Sequence, residues 1–184
     1  MFHGAERTNK ERVSQELAQC LGIPLLCFEK YTEDLNTPKG LLTFAEQLFY
    51  QQKRLDYFES LMMVNKDFNF VVDTTPFNIL SILLSSVDST TSVLFDETVE
   101  NFITRCIELS RVLTDFITLQ PNKIYISNNT NKTLSSMTFN TTVTQNIVGS
   151  LIRYSSELRN KKYILVPSDR VTLEEQVDFC LAVL

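Results

Sequence analysis

The first residues of the chain carry the spacing of a phosphate-binding loop. Gly4 is followed by five residues and then by Lys10. A phosphate loop normally reads glycine, four residues and then Gly-Lys-Ser/Thr at the start of a helix. Its backbone N–H groups point at phosphate oxygens, its lysine bridges them, and its hydroxyl helps to hold magnesium. Gly4 and Lys10 therefore predict a phosphate-binding site.

The loop departs from that pattern at two positions. Asn9 replaces the second glycine, and Glu11 replaces the hydroxyl residue. Asparagine tolerates a left-handed backbone better than most residues, so the turn can survive the first change. Glu11 would repel phosphate unless it recruits a cation. The motif is weak on its own, and a chance similarity is the competing interpretation.

An aspartate supplies a second candidate group. Asp73 ends the apolar run Phe68 to Val72, and Thr74-Thr75-Pro76 break the pattern after it. Ligands of parallel α/β sheets bind at the carboxyl ends of the strands, which places this acid at the edge where we expect the chemistry to gather. The competing interpretation is that Asp73 is the N-cap of the following helix.

The hydrophobic pattern alternates helices with strands. It predicts helices at Asn9 to Leu21, Leu41 to Val64, Phe77 to Leu84, Asp96 to Phe116, Thr144 to Arg159 and Thr172 to Leu184. It predicts strands at Met1 to His3, Ile23 to Phe28, Phe68 to Val72, Lys123 to Ser127 and Tyr163 to Val166. This alternation is typical of an α/β fold in which a parallel β-sheet is flanked by helices on both faces.

Length and composition favour one ordinary globular domain. The 184 residues suffice for a single core, so we predict one domain over residues 1–184. Residues 127–144, rich in Ser, Thr and Asn, are predicted to form a mobile, lid-like segment. The net charge of −5 disfavours broad nucleic-acid binding. No apolar run approaches the ~20 residues that a bilayer requires, and no secretory signal opens the chain, so we expect no membrane association and a cytoplasmic location.

The sequence lacks the residue patterns of a zinc site and of a histidine-dependent hydrolase. The four cysteines lie far apart, without the spacing of a zinc site, and we predict buried thiols. They are Cys20, Cys27, Cys106 and Cys180. His3 is the single histidine, which excludes hydrolases that pair a histidine with a serine or cysteine in a recognisable motif.

Three segments, taken in order, resemble P-loop nucleotide kinases. They are Leu21-Gly22-Ile23-Pro24, the helix residues Gln47, Gln51, Gln52 and Arg54, and Val71-Val72-Asp73-Thr74-Thr75-Pro76-Phe77. The resemblance is to bacteriophage and bacterial relatives of thymidylate and deoxynucleoside monophosphate kinases, and it runs from about Phe2 to Leu84. It implies a P-loop NTPase fold with a degenerate phosphate loop, ATP and Mg²⁺ as cofactors, and a nucleotide as ligand.

The same resemblance assigns roles to single residues. Lys10 and Asp73 look like the catalytic residues, and Asp73 also looks like the residue that orders Mg²⁺. The positions expected to hold the cofactor are Gly4, Asn9, Lys10, Glu11 and Arg170. Gln51 and Arg54 are expected to bind the base and the phosphate of the acceptor. The competing interpretations are an exposed helix arginine for Arg54 and a solvated loop arginine for Arg170.

Two departures from the family bear on activity. Thr74 stands where the family usually has arginine, and Lys132 is the only cation between Ser127 and Ile152. An arginine supplied to the transferring group can be worth ~10³–10⁵ in rate. The sequence therefore predicts weak or no phosphoryl transfer.

Three functions stay open at this point. The first is a divergent kinase that transfers a phosphoryl group from ATP to a (deoxy)nucleoside monophosphate. The second is a catalytically inactive pseudokinase, a nucleotide sensor or a module that binds a phage or host protein, in the host cytoplasm if phage-encoded. The third is an α/β interaction module with no nucleotide. The oligomeric state is left open.

Overall fold

The structure is a computed structural model that describes residues 2–4, 10–28, 43–85, 97–119, 146–153 and 155–184. These ranges contain the strands β1 (Phe2–Gly4), β2 (Leu25–Leu26), β3 (Val71–Val72), β4 (Asp115–Leu119) and β5 (Lys162–Val166). They also contain the helices α1 (Lys10–Leu21), α2 (Phe44–Asn65), α3 (Pro76–Ser85), α4 (Glu97–Ser110), α5 (residues 146–153) and α6 (Leu173–Val183). The predicted lid-like segment at 127–144 and the predicted strand at 123–127 lie outside the described residues.

Among the described residues all strand pairs are parallel, and the hydrogen-bonded strands form two separate sheets. One sheet has the order β1-β4-β5 and the other pairs β2 with β3. Gly4 is in register with Leu119, which is in register with Val166, so three strands end at one edge. In the smaller sheet Leu26 is in register with Val72. The predicted α/β fold with parallel strands is therefore confirmed.

The strand β4 corrects the prediction of a helix from Asp96 to Phe116. Helix α4 ends at Ser110, residues 111–114 turn, and the chain continues as a strand. The apolar residues that keep helical spacing across this boundary are Phe102, Cys106, Leu113 and Phe116. All four residues from 116 to 119 are buried, as expected for a strand covered on both sides. The spacing of apolar residues does not show that consecutive residues are buried. This burial explains why the segment forms a strand although its apolar spacing is helical.

Consecutive strand residues contribute to different hydrophobic clusters, because side chains alternate between the faces of a strand. Val72 and Phe116 belong to a cluster that includes residues of α2, α3, α4 and α5. Val71 and Ile117 belong to a second cluster with residues of α1 and α6. The strands β3 and β4 therefore each contribute side chains to both clusters, and they connect the helices of one cluster with those of the other.

Two helices begin with a capping box. In α2, Thr43 Oγ1 accepts a hydrogen bond from Glu46 N at 3.3 Å, and Glu46 Oε2 accepts one from Thr43 N at 2.8 Å. This moves the start of α2 three residues beyond the predicted Leu41. Thr172 and Glu175 form the same box at the start of α6. Hydrogen bonds from the cap lower the pKa of both glutamates.

The end of α1 follows the stop signal that the sequence predicts. Gly22 has a φ of +66°, its N–H donates to Gln19 O, and Ile23 N–H donates to Ala18 O. These are the paired hydrogen bonds of a Schellman motif, which satisfy two carbonyl groups of the last turn. Gly22 therefore directs the chain from α1 into β2.

The cysteines agree with the predicted buried thiols only in part. Cys106 and Cys180 are buried, Cys27 is half-buried, and Cys20 is exposed. Burial raises the pKa of the Cys180 thiol to about 11 and raises that of Cys106 as well. The described residues contain no helix that is both long and apolar enough to cross a membrane.

Replacing Gly22 by alanine is expected to lower the free energy of unfolding by about 1 kcal/mol, because alanine is strained at positive φ. Gly149→Ala in α5 is the matched control. An added Cβ meets no atom within 4 Å at either position, so only the backbone differs. Gly149→Ala is expected to stabilise by about 0.5–1 kcal/mol. Urea denaturation measures the free energy of unfolding of both variants. If both substitutions changed it in the same direction, the Schellman assignment would be contradicted.

The capping glutamates predict a pH dependence of stability. Because their pKa values are lowered on folding, they stabilise the protein above their unfolded pKa of about 4.3, and this is lost as pH falls through the folded pKa. We expect the variant Glu46→Gln/Glu175→Gln to show a flatter decline in the urea midpoint between about pH 5 and pH 3 than the native chain. Glu174→Gln, at a position in the same first turn that forms no capping box, should leave the decline unchanged.

Candidate functional site

The segment predicted to bind phosphate lies between a strand and a helix. Gly4 ends β1 and Lys10, which is half-buried, begins α1. Asn9 lies outside the described residues. Glu11 is exposed in the first turn, and its carbonyl accepts a hydrogen bond from Ser14 Oγ at 2.8 Å. Since N–H groups and positive charge concentrate at a helix N-terminus, this location suits an anion.

Asp73 is buried and holds the end of a neighbouring strand. Its side chain is 3% exposed. Oδ1 accepts a hydrogen bond of 2.8 Å from the backbone N–H of Phe28, two residues beyond β2. The carboxylate thus joins the carboxyl ends of β2 and β3.

The N-cap of α3 is a different residue. Thr75 Oγ1 accepts the hydrogen bond from Asn78 N at 2.9 Å, and Pro76 is the first residue of the helix. A threonine cap followed by proline at the first helical position is a common start. The alternative interpretation of Asp73 as a helix cap is therefore wrong, and its carboxylate is used across the strands instead.

Arg54 is not an exposed helix arginine. It is 5% exposed, and Gln51, one turn before it on α2, is 1% exposed. Arg54 Nη1 donates to Gln51 Oε1 at 3.2 Å, and Gln51 Nε2 donates to Gln47 Oε1 at 3.3 Å. A chain of side-chain hydrogen bonds therefore runs along the buried face of α2.

Phe28 connects Arg54 to Asp73. Its ring centroid lies 5.3 Å from the Arg54 guanidinium carbon, within the range of a cation–π contact. The ring also packs against Phe58 at 5.7 Å between centroids. We call Phe28, Gln51, Arg54 and Asp73 the Arg54 cluster. It brings one guanidinium, one amide, one carboxylate and one aromatic face together at the carboxyl ends of β2 and β3.

Thr74, for which the resemblance implied an arginine, is fully buried. Its Oγ1 accepts a hydrogen bond from Asn78 Nδ2 at 3.3 Å. The start of α3 therefore carries a neutral, hydrogen-bonded hydroxyl at this position.

Arg170 lies at the other sheet. It is exposed in the turn after β5, with its guanidinium carbon 5.9 Å from the centroid of the Phe179 ring. Its carbonyl accepts a hydrogen bond from Gln176 Nε2 at 3.0 Å. The Arg54 cluster adjoins β2 and β3, so the structure does not make Arg170 part of that cluster.

Asp73 is the candidate carboxylate for a cation at this site. No group of three or more His, Cys, Asp or Glu side chains suited to a metal ion occurs among the described residues. Mg²⁺ at a phosphate site typically takes one or two carboxylates, with water and substrate phosphate completing its shell. Asp73 fits that pattern in residue type and position.

Sequence reasoning missed two members of this arrangement. Phe28 reads as the last apolar residue of a strand, and nothing in its local pattern marks it as a partner of Arg54. The capping role of Thr75 could have been found, since a threonine directly before proline at a helix start is a known signal.

Comparisons with known proteins give a structural likeness. No protein-family model and no curated protein sequence matches the chain. A solved structure of deoxyadenosine kinase from M. mycoides, with the products dCMP and a flexible dCDP bound, is similar with a TM-score of 0.57 and 15% identity. The match covers 99% of this chain and 96% of that one.

The hydrogen bond between Asp73 and Phe28 predicts different effects for two substitutions. Asp73→Ala leaves the Phe28 N–H buried without its acceptor, and we expect it to cost about 1–3 kcal/mol. Asp73→Asn keeps an acceptor oxygen and is expected to cost about 1 kcal/mol or less. Urea denaturation tests this, with the exposed Asp169→Ala as the control. Equal losses for Asn and Ala would show that the carboxylate does not act through this hydrogen bond.

The β1–α1 unit, the parallel strands and the near-complete overlap with that structure lead to one conclusion: this chain has an α/β fold similar to that of the deoxyadenosine kinase.

Proposed function

We propose that the chain is a divergent nucleotide kinase that binds a deoxynucleoside or its monophosphate at the Arg54 cluster. In this proposal ATP occupies the β1–α1 segment of a P-loop arrangement whose sheet is flanked by helices on both faces. The observation that carries the proposal is the burial of Arg54 against Phe28, beside the end of β3.

Burial of a guanidinium group costs free energy of folding. Removing a charged side chain from water costs several kcal/mol unless hydrogen bonds and charges compensate it. Arg54 lies in α2 next to the fully buried Leu55, and its described contacts are the buried Gln51 amide and the Phe28 ring. An apolar side chain at this position would serve packing alone at lower cost. We infer that Arg54 is kept for a ligand.

The chemistry of the cluster suits a nucleoside or nucleotide. An arginine fork binds planar or phosphate-bearing groups, and an aromatic face packs against a base. Gln51 carries both a donor and an acceptor, which is what recognition of a base edge requires. The cluster lies at the carboxyl ends of parallel strands, the edge at which α/β proteins bind ligands.

The cofactor side rests on Gly4, Lys10 and Asp73. Lys10 at the start of α1 would bind the phosphates of ATP, and Asp73 would hold Mg²⁺. Bound Mg²⁺ supplies neutralisation of the charge that develops on the phosphates. Lys10 orients the phosphate chain of ATP. Asp73 also keeps the carboxyl ends of β2 and β3 at a fixed distance from each other beside the phosphates.

A pseudokinase is the second candidate, and two residues favour it. Thr74 is a buried neutral side chain where a cation is expected, and Glu11 adds negative charge to the first turn of α1. Both weaken stabilisation of a phosphoryl group in transfer, and nucleotide binding then rests on Lys10 and the N-terminus of α1. A nucleotide sensor, or a module that binds a phage or host protein, would have these properties.

Calorimetric titration with ATP, deoxynucleosides and deoxynucleoside monophosphates, with and without Mg²⁺, tests the proposal. We expect Arg54→Ala to weaken acceptor binding about 10- to 100-fold, the loss of a charged hydrogen bond of about 1.5–3 kcal/mol. Lys53→Ala, at the adjacent exposed cation, is the matched control and should change nothing. Lys10→Ala should weaken the binding of ATP and leave the binding of the acceptor unchanged. Asp73→Asn should remove the dependence of ATP binding on Mg²⁺.

A coupled assay for ADP release separates the candidates. Turnover of any acceptor supports the kinase, and nucleotide binding without turnover supports the pseudokinase. If no nucleotide or nucleoside binds at millimolar concentration, both are wrong and the interaction module remains.

A further inference from the structure

A cavity of about 330 Å³ lies at the amino ends of the strands, away from the Arg54 cluster. Its walls include Val71 of β3, and Asp115 and Ile117 of β4. The Arg54 cluster adjoins the opposite, carboxyl ends of β2 and β3. The cavity is therefore separate from the proposed nucleotide site.

The division of the strands into two sheets explains why the cavity exists. Among the described strands, β3 is hydrogen-bonded to β2 alone, so its second edge has no strand partner. On β4, pairing with β1 begins at Ile117, so Asp115 pairs only with Lys162 of β5. The space between β3 and the first residues of β4 is thus left without a strand.

The mouth of the cavity exposes apolar side chains. Four of its lining residues are between 42% and 67% exposed, and they are Leu21, Phe68, Val112 and Leu184. Isolated exposed apolar residues are ordinary, but several around one concave space mark a binding site. Ligand sites of roughly 300–1,000 Å³ are typically lined by apolar groups with a few polar ones.

One charge distinguishes this lining. Asp115 is the only charged side chain among the lining residues, and its Oδ2 accepts a hydrogen bond from Thr114 Oγ1 at 2.6 Å. Asn69 and Thr114 supply neutral polar groups. Lys162 does not line the cavity, and its Nζ donates to the carbonyl oxygens of Val183 and Leu184. The cavity thus combines an apolar wall with one carboxylate.

We propose that this cavity binds a small apolar molecule bearing a cationic amine, with the alkyl or aromatic part against Val71 and Ile117 and the amine at Asp115. Charge complementarity selects the amine, because a carboxylate ligand would be repelled and an alcohol would gain only a neutral hydrogen bond. The proposal is independent of the kinase activity.

Octylamine, octanol and octanoate are the probes, titrated into the full chain while amide chemical shifts of Asn69 and Leu113 are followed. We expect octylamine to bind roughly five- to tenfold more tightly than octanol, and octanoate to bind weakest. Asp115→Asn should reduce the preference for the amine to less than about twofold. Asp178→Asn, at an exposed acid of α6 that does not line the cavity, should leave the preference unchanged.

A second variant tests the location. Ile23→Phe adds volume to a half-buried lining residue and should weaken all three ligands at least about fivefold, whereas Ile82→Phe on α3 should not. Thermal unfolding checks that both variants fold. The proposal is overturned if octylamine fails to shift Asn69 and Leu113, if amine and alcohol bind equally, or if a folded Ile23→Phe variant binds as tightly as the native chain.

Discussion

The hydrogen bond from the Phe28 N–H to the Asp73 carboxylate is the interaction on which the candidate site depends. It is buried, and it joins residues 45 positions apart in sequence. A buried N–H that loses its acceptor is costly, so the bond constrains both partners. By fixing the backbone of Phe28, the bond places the ring against which Arg54 lies, so geometry at β3 determines geometry on α2.

Asp73 has two roles in this arrangement, one structural and one proposed. As a structural acceptor, Asp73 holds the ends of two short strands that pair over only two residues each. As a proposed magnesium residue, it would face the phosphates at the same edge. Both roles favour an acid at the end of a buried strand, which explains why the sequence signal for function and the structural role coincide. They also mean that a loss of binding in a variant has to be separated from a loss of stability.

The likeness to the deoxyadenosine kinase structure extends over nearly the whole chain and is a likeness of fold. Fold is maintained by distributed packing, in which alternate residues of β3 and β4 serve two hydrophobic clusters. Catalysis in general depends on a few charges at fixed positions. A likeness of fold can therefore extend over a whole chain without fixing the chemistry of its site.

Local signals in the sequence determined the elements whose causes are local. Gly22 ends α1 and Asp73 follows a strand, both as predicted. The helices α3 and α6 begin within one residue of the predicted starts, Phe77 and Thr172. Each depends on the φ angle, the hydrogen-bonding groups or the apolar spacing of neighbouring residues.

Tertiary structure alone decided the rest. The strand β4 kept a helical apolar pattern and was revealed by burial of four successive residues between β1 and β5. Arg54 has the sequence context of an exposed helix residue, and only packing against Phe28 buries it. Strand pairing and burial join residues tens of positions apart, and a window of neighbouring residues contains no record of such contacts.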